Sequence, residues 1–396
     1  MPRSQWARLW PLDPATTFLN HGAFGACPIA VLEAQRRLVE RMEAEPVRFL
    51  SRELDGLLES ARAALGAFVG ADPDDLAFVP NATSGVNTVV RSLAFQPGDD
   101  ILATDHAYNA CRNASKAAAG RAGARVAVAR VPFPIASPDE VVGAVLGAVT
   151  PRTQLALLDH VTSPTGIVFP IARLVAELEA RGVDTLVDGA HAPGMVPLDI
   201  RALGAAYYTG NAHKWLCAPK GAAFLHVRRD RQAGIRPLTI SHGANSPRRD
   251  RSRFRLEFDW TGTDDPTACL VIPEAIRYLG GLLPGGWPEL QTRNRATALV
   301  ARRTLADALG IALPCPDAMI GSLAALSLPD APTAAPIARG LRDPLQDALF
   351  DRFDIEVPVA AWPVPPRRLI RVSAQLYNAP DDYDRLAAAL ETLLAS

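Results

Sequence analysis

The chain has 396 residues, of which 48% are hydrophobic and 21% charged, and 41 Lys+Arg against 42 Asp+Glu give a formal net charge of -1. This composition is typical of a globular protein and argues against a nucleic-acid surface or a basic membrane patch. The five cysteines lack zinc-type spacing and no apolar run is long enough to span a membrane. We therefore expect a cytoplasmic protein without a secretion signal.

The first two-thirds of the chain indicate an α/β fold. Residues 28–69 carry apolar residues at helical spacing. Short apolar runs then predict buried strands at 76–79, 100–104, 125–131, 154–158, 185–187, 205–209 and 222–227. Helical patterns between them predict helices at 85–95, 107–122, 138–149 and 171–181. This alternation predicts a mostly parallel sheet covered by helices on both faces.

After about residue 265 the pattern changes to that of a smaller α+β C-terminal domain. Helices are predicted at 267–283, 287–309 and 381–395, with strands near 321–328 and 369–373. We expect a large domain over residues 15–262 and a small domain over 263–396, with residues 1–14 packing on the small one. The Arg- and Pro-rich segment 241–255 is predicted to be an exposed loop. Its arginines, with Arg48, could line an entrance for an acidic substrate tail, although a solvated surface is the favoured interpretation.

Lys214 is unusual because the chain has only three lysines and otherwise uses arginine for positive charge. Arginine does not lose its proton, whereas a partly buried lysine can lose it and form a Schiff base with a carbonyl. The alternative is a surface lysine, which the neighbouring Trp215 and Leu216 argue against. The sequence "NAHKWL" therefore predicts a functional lysine.

Two further motifs follow predicted strands, where ligands bind in open α/β sheets. The turn "NATSG" places the N–H groups of Ala82, Thr83 and Ser84 at a helix start, which favours an anion, although an ordinary helix cap is the favoured interpretation of the turn alone. The motif "VDGAHAPG" places Asp188 at a strand end, where a carboxylate can keep a heteroaromatic nitrogen protonated. Its alternatives are a loop cap at Asp188, a buried imidazole at His191, or a weak metal pair.

Two more candidates have less specific signals. In "DHAYNACRN", His106 or Tyr108 could stack on a cofactor ring, but a cluster at the helix start is the simpler interpretation. In "LIRVSAQLYN", Arg371 could hold a substrate carboxylate through its forked guanidinium, a part that many arginines could play.

Together these motifs, in this chain order, resemble the class V aminotransferase family, whose members are fold-type I enzymes dependent on pyridoxal 5'-phosphate (PLP). The segments "NHGAFG", "DHVTSPTG", "VDGAHAPG" and "GNAHKWLCAP" are most similar to its isopenicillin N epimerase branch. The resemblance implies a seven-stranded sheet and a homodimer. It also implies that no metal is needed.

The resemblance implies a role for each matching residue. Lys214 forms the Schiff base, Asp188 pairs with the pyridine nitrogen, His191 lies near the phenolic oxygen, and His106 stacks, with Tyr108 as a competitor. The phosphate is held by Ala82, Thr83, Asn211 and His213, and by Thr263 (or Thr261) of the neighbouring subunit. Ser163 departs from the family pattern, because it stands where desulfurases often carry an asparagine near the cofactor oxygen, and it is expected to bind the cofactor there. The substrate is held by Arg371, Asn20 and His21.

The predicted function is chemistry at Cα of an amino acid, through an external aldimine and a quinonoid intermediate. An epimerase or racemase is favoured, and its second acid would be His21, His106 or Tyr108. The alternatives are a C–S β-lyase acting on cysteine conjugates or sulfoxides, or an aminotransferase. The segment 354–371 has no cysteine, so a persulfide mechanism is not expected. More remote alternatives are a non-catalytic binding module and a metal hydrolase using His160, Asp188, His191 and His213.

Overall fold

The structure, a computed structural model, describes residues 4–331 and 342–395. Its strands are β1 (Thr17–Phe18), β2 (Leu76–Val79), β3 (Asp100–Thr104), β4 (Arg125–Ala129), β5 (Thr153–Asp159), β6 (Asp184–Asp188), β7 (Tyr207–Asn211), β8 (Ala223–Val227), β9 (Leu323–Leu328), β10 (Ile355–Glu356), β11 (Val359–Ala361) and β12 (Arg368–Ser373). Its helices are α1 (His21–Phe24), α2 (Ile29–Ala44), α3 (Pro46–Arg48), α4 (Leu54–Val69), α5 (Ala82–Ser92), α6 (Asn109–Ala122), α7 (Pro138–Gly147), α8 (Ile171–Glu179), α9 (Ile200–Leu203), α10 (Arg253–Phe258), α11 (Thr267–Leu270), α12 (Ile272–Gly280), α13 (Gly286–Leu309), α14 (Pro344–Phe353) and α15 (Pro380–Leu394).

The central sheet has seven strands in the order β2-β8-β7-β6-β5-β3-β4. Strands β7, β6, β5, β3 and β4 are parallel, whereas β8 runs antiparallel to both of its neighbours. A second sheet, in the order β11-β12-β9, is antiparallel and carries the C-terminal part of the chain. The predicted fold class is confirmed, and the parallel strands bring their carboxyl ends to one edge of the sheet.

The structure divides two segments that the sequence predicted as continuous helices. Residues 28–69 break at Glu45, because Pro46 lacks the N–H that would continue the hydrogen-bond pattern of α2. Residues 267–283 form α11 and α12, which meet at Val271, and Pro273 lies in the first turn of α12. Within the described residues, no helix combines the length and apolar character needed to cross a membrane.

The segment 241–255 is not simply an exposed loop. It ends in helix α10, whose Phe254 and Arg255 are buried. The Arg255 guanidinium pairs with Asp74, Glu59 and Asp259, and Arg248 pairs with Asp55. Carboxylates on and around α4 therefore neutralise these arginines, which does not favour the alternative of an entrance for an acidic substrate.

The N-terminal residues contact the C-terminal part of the chain. The Ser4 hydroxyl donates to the Leu376 carbonyl, and the Trp10 ring packs edge-on against Tyr377 at 5.2 Å between ring centroids. The packing of residues 1–14 on a small domain stays a prediction, and residues 1–3 lie outside the described chain. The boundary at residue 262 stays a prediction.

Candidate active site

Asp188, the last residue of β6, lies at the carboxyl edge of the sheet and is only 3% exposed. Its Oδ1 accepts the Ala190 N–H at 3.0 Å, and its Oδ2 accepts the Cys111 thiol at 3.1 Å. Burial raises the pKa of Asp188, while the Cys111 and Ala190 hydrogen bonds and the charge of Lys214 act in the opposite direction. The carboxylate is thus held in a fixed orientation by two donors.

Lys214 lies in the turn after β7, next to His191 from the loop after β6. Its Nζ is 3.2 Å from His191 Nε2, and the Trp215 indole donates to His191 Nδ1 at 3.3 Å. An indole N–H only donates, so Nδ1 carries no proton. Burial lowers the pKa of His191 well below its usual value, so the ring is neutral and its proton is on Nε2. The contact with Lys214 is therefore favourable when Nζ is an unprotonated amine.

The pKa of Lys214 is correspondingly lowered to about 8, first by burial and then by the positive charge of Arg371. The charge of Asp188 acts in the opposite direction. A lysine with such a pKa supplies a substantial fraction of free amine near neutral pH, which both Schiff-base formation and proton abstraction require.

The turn before α5 lies against the end of β7. The Ala82 N–H donates to Asn211 Oδ1 at 2.8 Å, and Asn81 caps the helix by accepting the Ser84 N–H at 2.8 Å. A Cβ on Gly85 would lie 2.2 Å from Thr209 Oγ1, so this close approach requires glycine. The turn therefore caps helix α5 and also has the features of an anion-binding helix start. The Thr83 hydroxyl in this turn has no partner in the described part of the chain.

His213 follows Asn211 by two residues and is half-buried. Its Nδ1 donates to the Ala222 carbonyl at 3.0 Å, and burial, followed by the charge of Lys214, lowers its pKa to about 4. The neutral ring thus presents an unprotonated Nε2. An anion bound here would raise this pKa, since it stabilises the protonated ring.

The structure separates the two stacking candidates. His106 is 0% exposed and lies 4.7 Å, between ring centroids, from Trp362. Its Nδ1 bonds to Thr165 Oγ1 at 2.8 Å and its Nε2 to the Val131 carbonyl at 3.1 Å. Tyr108 is 45% exposed and borders a cavity. The geometry therefore disagrees with stacking by His106 and favours Tyr108.

His21 is also removed from the open part of the site. It is 0% exposed, with Nδ1 2.8 Å from the Tyr377 hydroxyl and Nε2 3.0 Å from the Lys214 carbonyl. Burial lowers its pKa to about 3. Asn20 donates to Glu356 Oε1 at 3.0 Å, and its own buried Oδ1 has no partner among the residues described. His21 thus holds the main chain of Lys214 in place. Neither of its ring nitrogens is available to a substrate.

Arg371, on β12, reaches across to the loop that follows β5. Its Nη1 donates to the carbonyl of Ser163 and, at 3.3 Å, to the Ser163 hydroxyl. Its Nε is buried without a partner in the described chain, and burial lowers its pKa to about 10. The Arg371 guanidinium thus has only neutral hydrogen-bond partners, both of them on Ser163.

A cavity of about 710 Å³ opens beside Arg371. Tyr108 and Ser163 lie on one side, and the apolar segment 358–365 forms much of the other. Thr263, expected to act in a neighbouring subunit, is exposed on the loop that precedes α11.

Comparisons with known proteins identify the family to which the chain belongs. The profile of the class-V aminotransferase family matches residues 17–316. The chain belongs to the class V aminotransferase family. It is 39% identical to an isopenicillin N epimerase of Amycolatopsis lactamdurans, with 96% of each chain covered, and 32% identical to a probable chloroplastic L-cysteine desulfhydrase of Arabidopsis thaliana, over 96% of this chain and 84% of the relative.

A solved structure of C-DES, with glycine covalently linked to its PLP cofactor, has a TM-score of 0.80 at 22% identity and covers 97% of this chain and 98% of its own. This likeness shows the fold alone.

The site residues of this class V chain fit PLP. Lys214 offers a free amine, Asp188 a buried carboxylate, and Thr83 an unused hydroxyl at a helix start. Arg371 lines the cavity, which places its guanidinium beside the space for an anionic substrate group. By contrast, no three His, Cys, Asp or Glu side chains come together as a metal-binding group in residues 4–331 and 342–395.

Two residues near Asp188 were missed by the sequence analysis. Cys111 supplies the thiol that Asp188 accepts, and Asp159 ends the neighbouring strand β5 as its register partner. Asp159 stands at a predicted strand end, so the signal used for Asp188 applied to it as well. Cys111 lies three residues after Tyr108, one turn into α6, where nothing in the sequence distinguishes it from a core cysteine.

Proposed function

We propose that this protein is a PLP-dependent enzyme that acts at Cα of an amino acid, and that its reaction is of the epimerase or racemase type. The observation that carries the proposal is the buried Lys214 amine, whose Nζ lies 3.2 Å from His191 Nε2 and whose pKa is lowered to about 8. PLP, when bound, withdraws electrons from the Cα of an amino acid whose amine it holds.

Each side chain then has a definite task. Asp188 keeps a positive charge on the pyridine ring, since it is a fixed anion in a dry environment. Thr83, Asn211 and His213 surround the helix start that receives the phosphate. Arg371 lines the cavity and orients the substrate by binding the substrate carboxylate with its forked guanidinium.

The proton at Cα is removed by Lys214 Nζ, whose lowered pKa matches a base working near neutral pH. Epimerisation also needs an acid on the other face of Cα. Of the three candidates, His21 and His106 have both ring nitrogens bonded within the protein, so Tyr108 is the candidate that remains. Burial raises the pKa of Tyr108, which keeps its hydroxyl protonated.

The cavity of about 710 Å³ beside Arg371 leaves room for a substrate side chain. The isopenicillin N epimerase relative, at 39% identity, also supports the epimerase assignment. The second candidate is a C–S β-lyase, which the desulfhydrase relative favours. Transamination is the third outcome of the same proton removal.

We also propose that the functional unit is a cytoplasmic homodimer in which Thr263 completes the phosphate site of the partner subunit. The exposure of Thr263 leaves it free for this contact. The division into a large domain of residues 15–262 and a small domain of residues 263–396 belongs to the same proposal.

A spectroscopic and isotopic assay tests the function. The purified protein is loaded with PLP in deuterated water and offered single L-amino acids and cysteine conjugates. Epimerase chemistry predicts deuterium at Cα and the opposite enantiomer, without keto acid. Pyruvate and ammonia would identify a lyase instead, and a protein that develops no visible absorbance with PLP would overturn the proposal as a whole.

A further inference from the structure

Two carboxyl groups lie side by side beneath the site. Asp159 and Asp188 end the adjacent parallel strands β5 and β6, are register partners, and are each 3% exposed. Register partners in a parallel sheet point to the same face, about 4.8 Å apart along the hydrogen-bonding direction. Two buried carboxylates on adjacent strands each lose hydration and repel each other, which disfavours ionisation of both. The pair therefore holds a proton.

The hydrogen bonds show which member is ionised. Asp188 accepts donors at both oxygens, from Ala190 and from Cys111. Asp159 Oδ2 is buried and has no partner in the part of the chain that the structure describes. A charged oxygen without donors is far more costly than a neutral one. The negative charge thus belongs on Asp188.

We propose that Asp159 is a positioning residue that holds the shared proton as a neutral carboxylic acid, which leaves Asp188 as the anion. Burial, and secondly the charge of Asp188, raise the pKa of Asp159 well above its usual value. Hydrogen bonds from the main chain of Tyr108 and of Asp159 itself, and the charge of Arg112, act in the opposite direction without reversing this. Lys214 and Cys111 are the other titratable groups that sense Asp159.

The consequence for the site rests on the proposed function. Because Asp159 carries the proton, Asp188 remains ionised and can pair with the pyridine nitrogen. The main chain of Tyr108, the residue that we assign to the cofactor face, also lowers the pKa of Asp159 against the effects of burial and of the Asp188 charge.

Infrared spectroscopy of the cofactor-free protein tests the proton assignment directly. A protonated carboxyl has a C=O stretch that carboxylates lack, and isotopic labelling of aspartate identifies it. We expect this band in the wild type at pH 7, its loss in the isosteric Asp159→Asn variant, and its retention in the matched Asp188→Asn variant. A wild-type protein without the band, or loss of the band in Asp188→Asn only, overturns the proposal, and the wild-type result needs no variant to fold.

Thermal unfolding of the cofactor-free protein gives a second readout. The folded pKa of Asp159 lies above its unfolded value, so stability is complete below the unfolded pKa and declines as pH rises toward the folded one. Asp159→Asn lacks this decline. The difference in Tm between Asp159→Asn and wild type should therefore become more positive from pH 5 to pH 8. A difference that does not change with pH contradicts the assignment.

The PLP-loaded protein separates this proposal from the proposed function. Asp159→Asn keeps one neutral and one charged group, so its visible spectrum should respond to pH as the wild type does, whereas Asp188→Asn should differ from both. If Asp159→Asn behaves like Asp188→Asn, the charge lies on Asp159 and the proposal fails. If none of the three proteins binds PLP while the infrared result holds, the proposed function fails and the proton assignment stands.

Discussion

Replacing Arg371 by leucine should stabilise the cofactor-free protein and weaken its substrate binding. The guanidinium is buried against neutral partners only, and its pKa falls from 12.5 to about 10. At about 1.4 kcal/mol per pH unit, this corresponds to about 2–3 kcal/mol of unfavourable charge burial, after allowance for remaining solvent contact. The leucine also loses the hydrogen bonds to Ser163. We therefore expect a net gain of about 1–2 kcal/mol.

This gain translates into a small change in melting temperature. With an unfolding entropy of about 2.1 cal/mol/K per residue, a chain of 396 residues gains a little over 1 °C per kcal/mol. The expected rise in Tm is about 1–3 °C, measured by calorimetry on the cofactor-free protein. Substrate affinity should fall about 30-fold or more, because removal of one member of a buried charge pair costs about 2–5 kcal/mol.

Two variants serve as controls. Arg367→Leu removes an exposed arginine of the same segment and should change neither quantity. Arg371→Lys keeps the charge but lacks the fork, so it should recover part of the affinity without the gain in Tm. A lower Tm in Arg371→Leu, together with unchanged affinity for an amino acid titrated spectroscopically into the PLP-loaded protein, would refute the reasoning.

Three further predictions follow from the same contacts. Lys214→Ala should abolish visible absorbance and borohydride labelling with PLP, whereas the exposed Lys116→Ala should keep both; labelling of Lys214→Ala at wild-type level contradicts the assignment. Trp215→Phe frees His191 Nδ1 to take the proton, so the pKa of Lys214 should rise and the pH profile of Schiff-base formation should move upward. Acid should destabilise the protein, because His21, His160 and His226 have folded pKa values of about 3, 4 and 4 against 6.5 unfolded. Stability is complete above pH 6.5, and each of the three should cost about 2 kcal/mol by pH 5 in urea titrations, whereas His242→Gln, at an exposed site, should leave this loss unchanged.

The sheet could be predicted from the sequence because its strands are buried on both faces. Continuous apolar runs produced the bounds of β2 and β3 without error, and the helices that follow them begin within three residues of prediction. β7 was placed two residues early, at 205–209, because Thr209, Gly210 and Asn211 are polar or small and yet belong to the ladder with β8. The candidate site begins at the polar end of β7. The apolar pattern that predicts a strand is therefore missing where the site needs polar residues.

The parts of the site that one motif contains were predicted, and those that depend on distant contacts were not. Lys214 is visible in its own motif. The choice between His106 and Tyr108 depends on residues from three remote segments. The His106 imidazole is bonded to Thr165 and Val131 and packs against Trp362. Two aromatic residues two positions apart in a turn give no local signal for this choice.

Asp159 illustrates the same limit for charge. The sequence alone shows an aspartate at the end of a predicted strand. The role of Asp159 depends in addition on β6 being the neighbouring strand and on the register that pairs Asp159 with Asp188. A shift of one residue would turn its side chain to the other face of the sheet. The protonation of a buried carboxyl is therefore a property of strand order and register, which composition and motif spacing leave undetermined.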